Sequence, residues 1–350
     1  MRRKKMNKEI CFVTGHCCIR VLKEAQCLKD LGYKIHLIVG GDIFGTLTAN
    51  PEKFMTLFKS IMRYVTTEQM EHSIKLISKE VSIFHVHNEP SWPVTKIREL
   101  VPDAKIILDM HDSNYWRYDG CDWPEEDNAV SNADAFIVPS ESCKKELSTR
   151  TDKPITACPP AVPYSWYVHL KPESTDGLVS HGGHNNKVSW RNYTDIYRAI
   201  VKDKPIFAYS PQFTMDENKT ELREITNYYA GLGVGLGNLR YFQLLDMLGN
   251  YTWNLVGNWN NNSKVWQFAL PNKFYDAVAA GIPSVVFNVP EVESIINKYD
   301  IGITAKKPEN LINKWSLHTE KRNNLMLCRK KLSMENFIQS ITKLYKEIQR

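Results

Sequence analysis

Residues 10–39 hold the run that most restricts the fold. Ile10-Cys11-Phe12-Val13 is a short apolar stretch that stops at Thr14-Gly15. Val21, Leu22, Ala25, Leu28 and Leu31 then recur at helical spacing, and Gly32 stands where a helix C-cap glycine belongs. Tyr33-Lys34-Ile35-His36-Leu37-Ile38-Val39 follows and ends at Gly40-Gly41. Strand, glycine loop, helix and strand in about thirty residues make a βαβ unit, whose strands must run parallel. A chain that opens this way builds an α/β fold, with helices over both faces of its sheet.

The same alternation continues. Residues 82–87, 105–109 and 135–138 read as buried strands, and Ser140 is placed to cap a helix beginning near Glu141. Pro154, Pro159, Pro160 and Pro163, with Tyr164, Trp166 and Tyr167, mark a linker over residues 160–175. The pattern then restarts. A strand over 177–181 leads into Gly182-Gly183, a helix follows through Tyr193, Ile196, Tyr197 and Ile200, and strands are expected at 205–209, 253–257 and 284–287. Phe274 to Ala280 reads as a helix closed by Gly281 and Pro283, and residues 258–262 as an asparagine-rich loop. Phe337, Ile338, Ile341, Leu344, Tyr345 and Ile348 line one face of a last helix. The expectation is two Rossmann-like domains, residues 1–165 and 175–332, whose parallel sheets face a central cleft. The segment 333–350 is expected to cross back to the first domain.

Composition excludes several classes. Hydrophobic residues make up 43% and charged residues 24%, a globular balance. No stretch approaches the ~20 apolar residues of a membrane helix. The basic opening Arg2-Arg3-Lys4-Lys5 precedes too short an apolar run for a signal peptide, so a cytoplasmic location is expected. That basic patch is either a solvated terminus or a peripheral membrane contact. The eight cysteines contain no Cys-x-x-Cys pair, and His16-Cys17-Cys18 has no second ligand cluster, so no metal site is expected. A net charge of +6 suits a nucleic-acid partner as well as an enzyme for phosphorylated or anionic-lipid substrates. The near balance of acids and bases over the first 165 residues argues mildly against a nucleic-acid acceptor, which stays open as an alternative.

In open parallel sheets, ligands bind beyond the carboxyl ends of the strands, near glycine loops and helix N-termini. Three segments fall there. Gly15-His16 follows the first strand, where a glycine either lets amides approach a phosphate or merely makes a tight turn. Gly182-Gly183, followed by His184, Lys187 and Arg191, suits a pyrophosphate, the alternative being a solvated basic loop. No Gly-x-Gly-x-x-Gly accompanies either turn, which disfavours a dinucleotide cofactor. The third segment is Leu270-Pro271-Asn272-Lys273-Phe274-Tyr275-Asp276-Ala277-Val278-Ala279-Ala280-Gly281-Ile282-Pro283.

This third segment resembles the donor-site signature of the retaining glycosyltransferase family four, in its Pro-Asn-Lys branch, within the GT-B fold. Weaker resemblance spans nearly the whole chain, through FVTGHCCIRVLKEAQCLKDLGYKIHLI, FHVHNEP, ILDMHD, NADAFIVPSESCKKEL and VSHGGHNNKVSWRNYTDI. It implies a nucleotide-sugar co-substrate, a glycan or lipid-linked acceptor, retention of configuration and no metal cofactor. Asp276 matches an acid that holds the ribose hydroxyls. Lys273 and Arg191 would neutralise the diphosphate with Asn272 nearby, and Gly15, His16, Gly182 and Gly183 would line the donor. His111 matches a cleft-floor histidine contacting the transferred sugar or acceptor, against a capping role in His-Asp. His85 and His87 alternate on one strand face and read as structural. Many relatives carry Glu-x7-Glu, but Phe268 stands where the first acid belongs. Glu291 and Glu293 are the carboxylates nearest in sequence after the following strand.

Overall fold

A computed structural model describes residues 8–41, 51–111, 113–118, 120–121, 123–169, 174–258 and 264–350. The basic patch Arg2 to Lys5 and most of the asparagine-rich loop lie outside them. The chain divides into two compact units, Met1–Pro163 with Met334–Arg350, and Tyr164–Ser333.

The first unit is built on β1 (Glu9–Thr14), β2 (Lys34–Gly40), β3 (Ser60–Tyr64), β4 (Ile83–His87), β5 (Lys105–Asp109), β6 (Ala135–Val138) and β7 (Ile155–Ala157). These form one sheet in the order β3-β2-β1-β4-β5-β6-β7, with every pair parallel. The order reverses between β1 and β4, so the sheet's switch point lies beyond Thr14 and His87. Ser140 caps the helix Glu141–Leu147 by accepting the Cys143 amide at 3.0 Å. The last helix, Ile338–Ile348, belongs to this unit and buries Ile338, Ile341, Leu344 and Tyr345. Each such side chain contributes about 1.5–3 kcal/mol by leaving water. Gln349 donates to the Ser82 hydroxyl at 2.7 Å and the Ser340 hydroxyl to the Ala157 carbonyl at 3.1 Å, so the helix is fastened at both ends.

The second unit repeats the scheme with β8 (Thr175–His181), β9 (Ile206–Tyr209), β10 (Gly235–Gly237), β11 (Tyr251–Gly257), β12 (Ser284–Phe287) and β13 (Gly302–Thr304). Their order is β10-β9-β8-β11-β12-β13, again parallel throughout. Its core is aromatic: Tyr193, Tyr197, Phe213, Tyr229, Trp253 and Trp315 are all buried. The Trp253 indole donates to the Trp315 carbonyl at 3.2 Å, and the Trp315 indole to Asp176 at 2.6 Å. The helix Asn272–Ala280 is buried at every position except Asn272. Arg329 closes it, donating to the Val278 carbonyl at 2.9 Å and to the Ala279 carbonyl, so a cation meets the negative end of the helix dipole. No helix among the described residues is long and apolar enough to cross a membrane.

Gly257 ends β11 at φ 80°, and a Cβ there would lie 2.1 Å from the Phe287 carbonyl oxygen and 2.5 Å from Val289. Gly257→Ala should therefore destabilise the second unit by about 2–4 kcal/mol, combining left-handed strain with overpacking. A urea titration followed by tryptophan fluorescence checks this, and an unchanged midpoint would refute it.

Candidate functional site

β8 and β11 flank the switch point of the second sheet, and the chain leaves β8 through Gly182 at φ 94°, a conformation that favours glycine. A Cβ on Gly183 would come within 3.0–3.2 Å of the Arg191 guanidinium group, so the absent side chain makes room for that arginine. A Cβ on Gly182 would lie 3.9 Å from Lys273 Cε. Gly182, Gly183, Arg191 and Lys273 are therefore gathered at one strand end, although Arg191 and Lys273 are 82 positions apart in sequence. Asn272 opens the helix carrying Lys273, one turn ahead of Asp276.

Lys273 is buried, yet its ammonium group donates to a neutral hydroxyl, Tyr193 Oη, at 2.7 Å. The same nitrogen lies 4.7 Å from the Tyr193 ring centroid and 6.0 Å from that of Trp266. Among the described residues no carboxylate is within ion-pair range of it. Burial pushes its pKa down to about 7, with Arg191 adding repulsion and Asp276 only partly opposing. A second anion would relieve both penalties.

Asp276 is 3% exposed. One of its oxygens accepts from Tyr241 Oη at 2.7 Å, and the other lies 3.4 Å from His181 Nε2. The acid is thus drawn inward by two partners, whereas an acid meeting solvent at the helix edge would face outward. His184 belongs to the aromatic core: it pairs with Tyr197 Oη at 2.7 Å and Gly182 O at 2.9 Å, and burial holds it neutral with a pKa of about 3. Lys187 is exposed and lies 3.7 Å from Glu224. Phe268 ends the short helix Lys264–Phe268, and Glu291 and Glu293 stand in the first turn of Pro290–Tyr299, where Glu293 accepts its own Val289 amide. His181 was visible only as a strand end in sequence, Tyr193 only as a helix face, and Tyr241 carried no signal.

At the switch point of the first sheet, Gly15 permits close chain approach: a Cβ would come 2.3 Å from Pro90 Cδ. His16 is exposed. Below the strand ends lies a closed charged cluster. Arg20 Nε donates to Asp109 Oδ2 at 2.7 Å, and its Nη2 lies 3.0 Å from Glu24. His87 Nδ1 is 3.2 Å from Asp109 Oδ2, His85 Nδ1 pairs with Tyr345 Oη at 2.7 Å, and the two histidine rings stack at 4.3 Å. His111 Nδ1 lies 3.7 Å from Asp109 Oδ1. Burial opposes charge on Asp109, but Arg20 and the three histidines outweigh it and hold the carboxyl well below its usual range. Burial likewise opposes a proton on His111, and Asp109 and Cys18 reverse that, so its pKa stands well above normal. Burial drives His87 down to about 3 and Glu24 well up.

Glu24, His85, His87 and Asp109 offer ligand-type atoms within 4.8 Å of one another, as do Glu9, His36 and Glu80. In each set the protein supplies its own cation: Arg20 in the first, and Lys59, bonded to Glu9 and to Glu80 at 3.0 Å, in the second. A divalent ion would have to displace or face that charge.

No family model matches the sequence, and no curated protein matches it. Solved structures do match. A glycosyltransferase from Rickettsia africae is 13% identical over 98% of this chain and 99% of its own, at a TM-score of 0.65. Anabaena HepE, solved with UDP-glucose, is 10% identical over 97% and 99%, at 0.70. A UDP-GlcNAc 2-epimerase from Neisseria meningitidis is 10% identical over 96% and 98%, at 0.55.

The chain has the GT-B glycosyltransferase fold. Each unit has its own switch point, one beside the buried Lys273 and the other beside the half-buried His111.

Lys273 gives this fold a pH signature. Its pKa is about 10.4 in an unfolded chain and about 7 here, so between those values the unfolded state binds more protons. Stability must then rise with pH from about 7 to about 10, and the full penalty applies below about 7. Urea unfolding should show this rise in the wild type and lose it in Lys273→Met. Parallel curves for the two proteins would show that Lys273 is not desolvated.

Proposed function

We propose that the protein is a glycosyltransferase that moves a sugar from a nucleotide-sugar donor to a glycan, lipid-linked or polysaccharide acceptor, with retention of configuration. The observation that carries this is Lys273: a buried ammonium group without a carboxylate partner among the described residues, beside a glycine turn and Arg191. Such a site is incomplete until an anion enters it. The nucleoside diphosphate of a donor sugar is an anion of the right charge and shape, and Lys and Arg can neutralise the charge that develops as it departs.

In this reading the second unit holds the donor. Lys273 and Arg191 bind the diphosphate without a metal ion, and Gly182 turns the chain while its own amide stays bonded to the Tyr209 carbonyl. Gly183 and Asn272 bring amide groups to the ligand, and Asp276 accepts the ribose hydroxyls after yielding Tyr241 or His181. Gly15 and His16 belong to the sugar end of the donor. His111, held as an imidazolium by Asp109, donates a hydrogen bond to a sugar or acceptor hydroxyl. With retention, the acceptor attacks the face that the leaving group departs from, and a departing phosphate oxygen takes its proton. No carboxylate at position 268 is needed for that step. A peripheral membrane contact through Arg2 to Lys5 fits a lipid-linked acceptor and a cytoplasmic location.

Hydrolysis of UDP-, GDP-, ADP- and CMP-sugars, with products separated by anomer, tests the reading. One nucleotide sugar should be cleaved slowly without acceptor; interconversion of epimers without cleavage would overturn it. Titration calorimetry then divides the site. Lys273→Ala and Arg191→Ala should each weaken both nucleoside diphosphate and pyrophosphate by about 1.5–3 kcal/mol. Asp276→Asn should weaken only the nucleoside diphosphate, by about 1–3 kcal/mol, because pyrophosphate has no ribose. Equal losses for the two ligands would remove Asp276 from the ribose. Some loss of melting temperature is expected too, since Tyr241 and His181 lose a charged partner.

A further inference from the structure

We propose that Cys18 is a modification site: a nucleophilic thiol, served by His111 and Asp109 as a Cys-His-Asp relay, that reacts with small electrophiles of the hydroperoxide class. Cys18 Sγ lies 3.9 Å from His111 Nε2, and His111 Nδ1 lies 3.7 Å from Asp109 Oδ1. Three residues from separate segments thus line up thiol, imidazole and carboxylate, the order that activates a sulfur nucleophile. A second observation is independent of the thiol. Asp109 is fully buried and its Oδ1, the oxygen turned to His111, has no hydrogen-bond partner, while Oδ2 is taken by Arg20. That free oxygen favours an imidazolium, which in turn favours a thiolate.

The surroundings agree. Cys18 stands at the N-terminus of the twelve-residue helix Ile19–Asp30, where the dipole stabilises an anion. Burial by itself would raise its pKa, but His111 and the amides of Val21 and Arg20 bring it below the ordinary thiol value. Cys11, Cys17, Cys27, Cys158 and Cys328 are pushed the other way by burial. The groups facing the pair are His111 and Cys17 directly, and Asp109, Arg20, Glu24, His85 and His87 behind the imidazole. Cys18 is half-exposed, so a small reagent has a route to it.

With hydrogen peroxide the step balances without another reactant. The thiolate sulfur bonds to one oxygen, the O–O bond breaks, and the departing hydroxide takes the proton from His111. Sulfenic acid and water result, and His111 is left neutral. The thiol chemistry does not rest on the role of His111 in sugar transfer given above, and the test reads the thiol alone.

Peptide mapping after brief iodoacetamide treatment of the native protein, at about pH 6.5, should show Cys18 modified about tenfold faster than the exposed Cys121. His111→Gln, or His111→Asn if the first fails to fold, should remove that advantage at about pH 6.5 and restore it towards about pH 9.5, where an ordinary thiol ionises unaided. Hydrogen peroxide followed by dimedone should place a sulfenic adduct on Cys18 in the wild type and not in the His111 variant. Faster labelling of Cys121, or a Cys18 rate indifferent to His111, would overturn the relay. A dimedone adduct absent from Cys18 would overturn the oxidation.

Discussion

A parallel strand cannot be reached by a tight turn, and that constraint shapes both halves of this molecule. Each strand must be followed by a crossover, so all the carboxyl ends of a sheet fall on one edge and all the helices begin there. Where the strand order reverses, two crossovers leave in opposite directions and open a crevice. β1 and β4 make that crevice in the first unit, β8 and β11 in the second. Buried charge lies close to both of these points. Lys273, with the exposed Arg191 near it, is at one, and Arg20 and Asp109, with the half-buried His111 beside them, are at the other.

The two crevices handle buried charge differently. In the first unit Arg20 and Asp109 form a pair with almost no solvent access. Removing one partner of such a pair typically costs about 3–5 kcal/mol, whereas replacing both by well-packed apolar groups often costs nothing. Stability alone therefore does not explain the pair. What an apolar replacement could not supply is a fixed carboxylate oxygen directed at His111. In the second unit the buried cation donates to a hydroxyl and lies against aromatic faces, with no carboxylate in ion-pair range among the described residues. One charge is compensated by a direct ion pair, and the other is opposed only partly, by Asp276.

How much of this was legible in sequence depended on burial. The central strands are continuous apolar runs because both faces are covered, and residues 105–109, 135–138 and 284–287 were readable to the residue. The strands without such a run, β3, β7, β10 and β13, are the four sheet edges. An edge strand has one neighbour and less apolar cover, so Ser60–Tyr64 and Gly235–Gly237 look like loop. The glycine turn and the Pro-Asn-Lys segment were visible because each is local. Tyr193, Tyr241 and His181 were not, because their importance comes from what lies across the fold from them. A tyrosine at helical spacing looks the same whether it packs a core or holds a lysine. His85 and His87 are stacked and buried, and the i,i+4 spacing of Arg20 and Glu24 puts those two side by side on one helix, but nothing in the sequence announces that they meet Asp109 there.

Asp276 shows why a local signature and a buried geometry have to be argued together. Its place in the Pro-Asn-Lys segment suggests an acid offered to a ribose, whereas its two oxygens are engaged by Tyr241 and His181. The two are compatible if the carboxylate is held ready rather than held shut. An ionised carboxylate has about four acceptor positions, and exchanging one hydroxyl donor for another keeps its hydrogen bonds made. A neutral donor such as Tyr241, whose hydroxyl burial keeps protonated, can be exchanged for a ribose hydroxyl without moving net charge. The Lys273 ammonium group, three positions earlier on the same helix, gains most from an arriving anion, and the acid has least to lose from a change of hydroxyl partner. Binding energy would then come from the diphosphate end, with discrimination for a ribose at the other, and both ends ride on one buried helix anchored by Arg329.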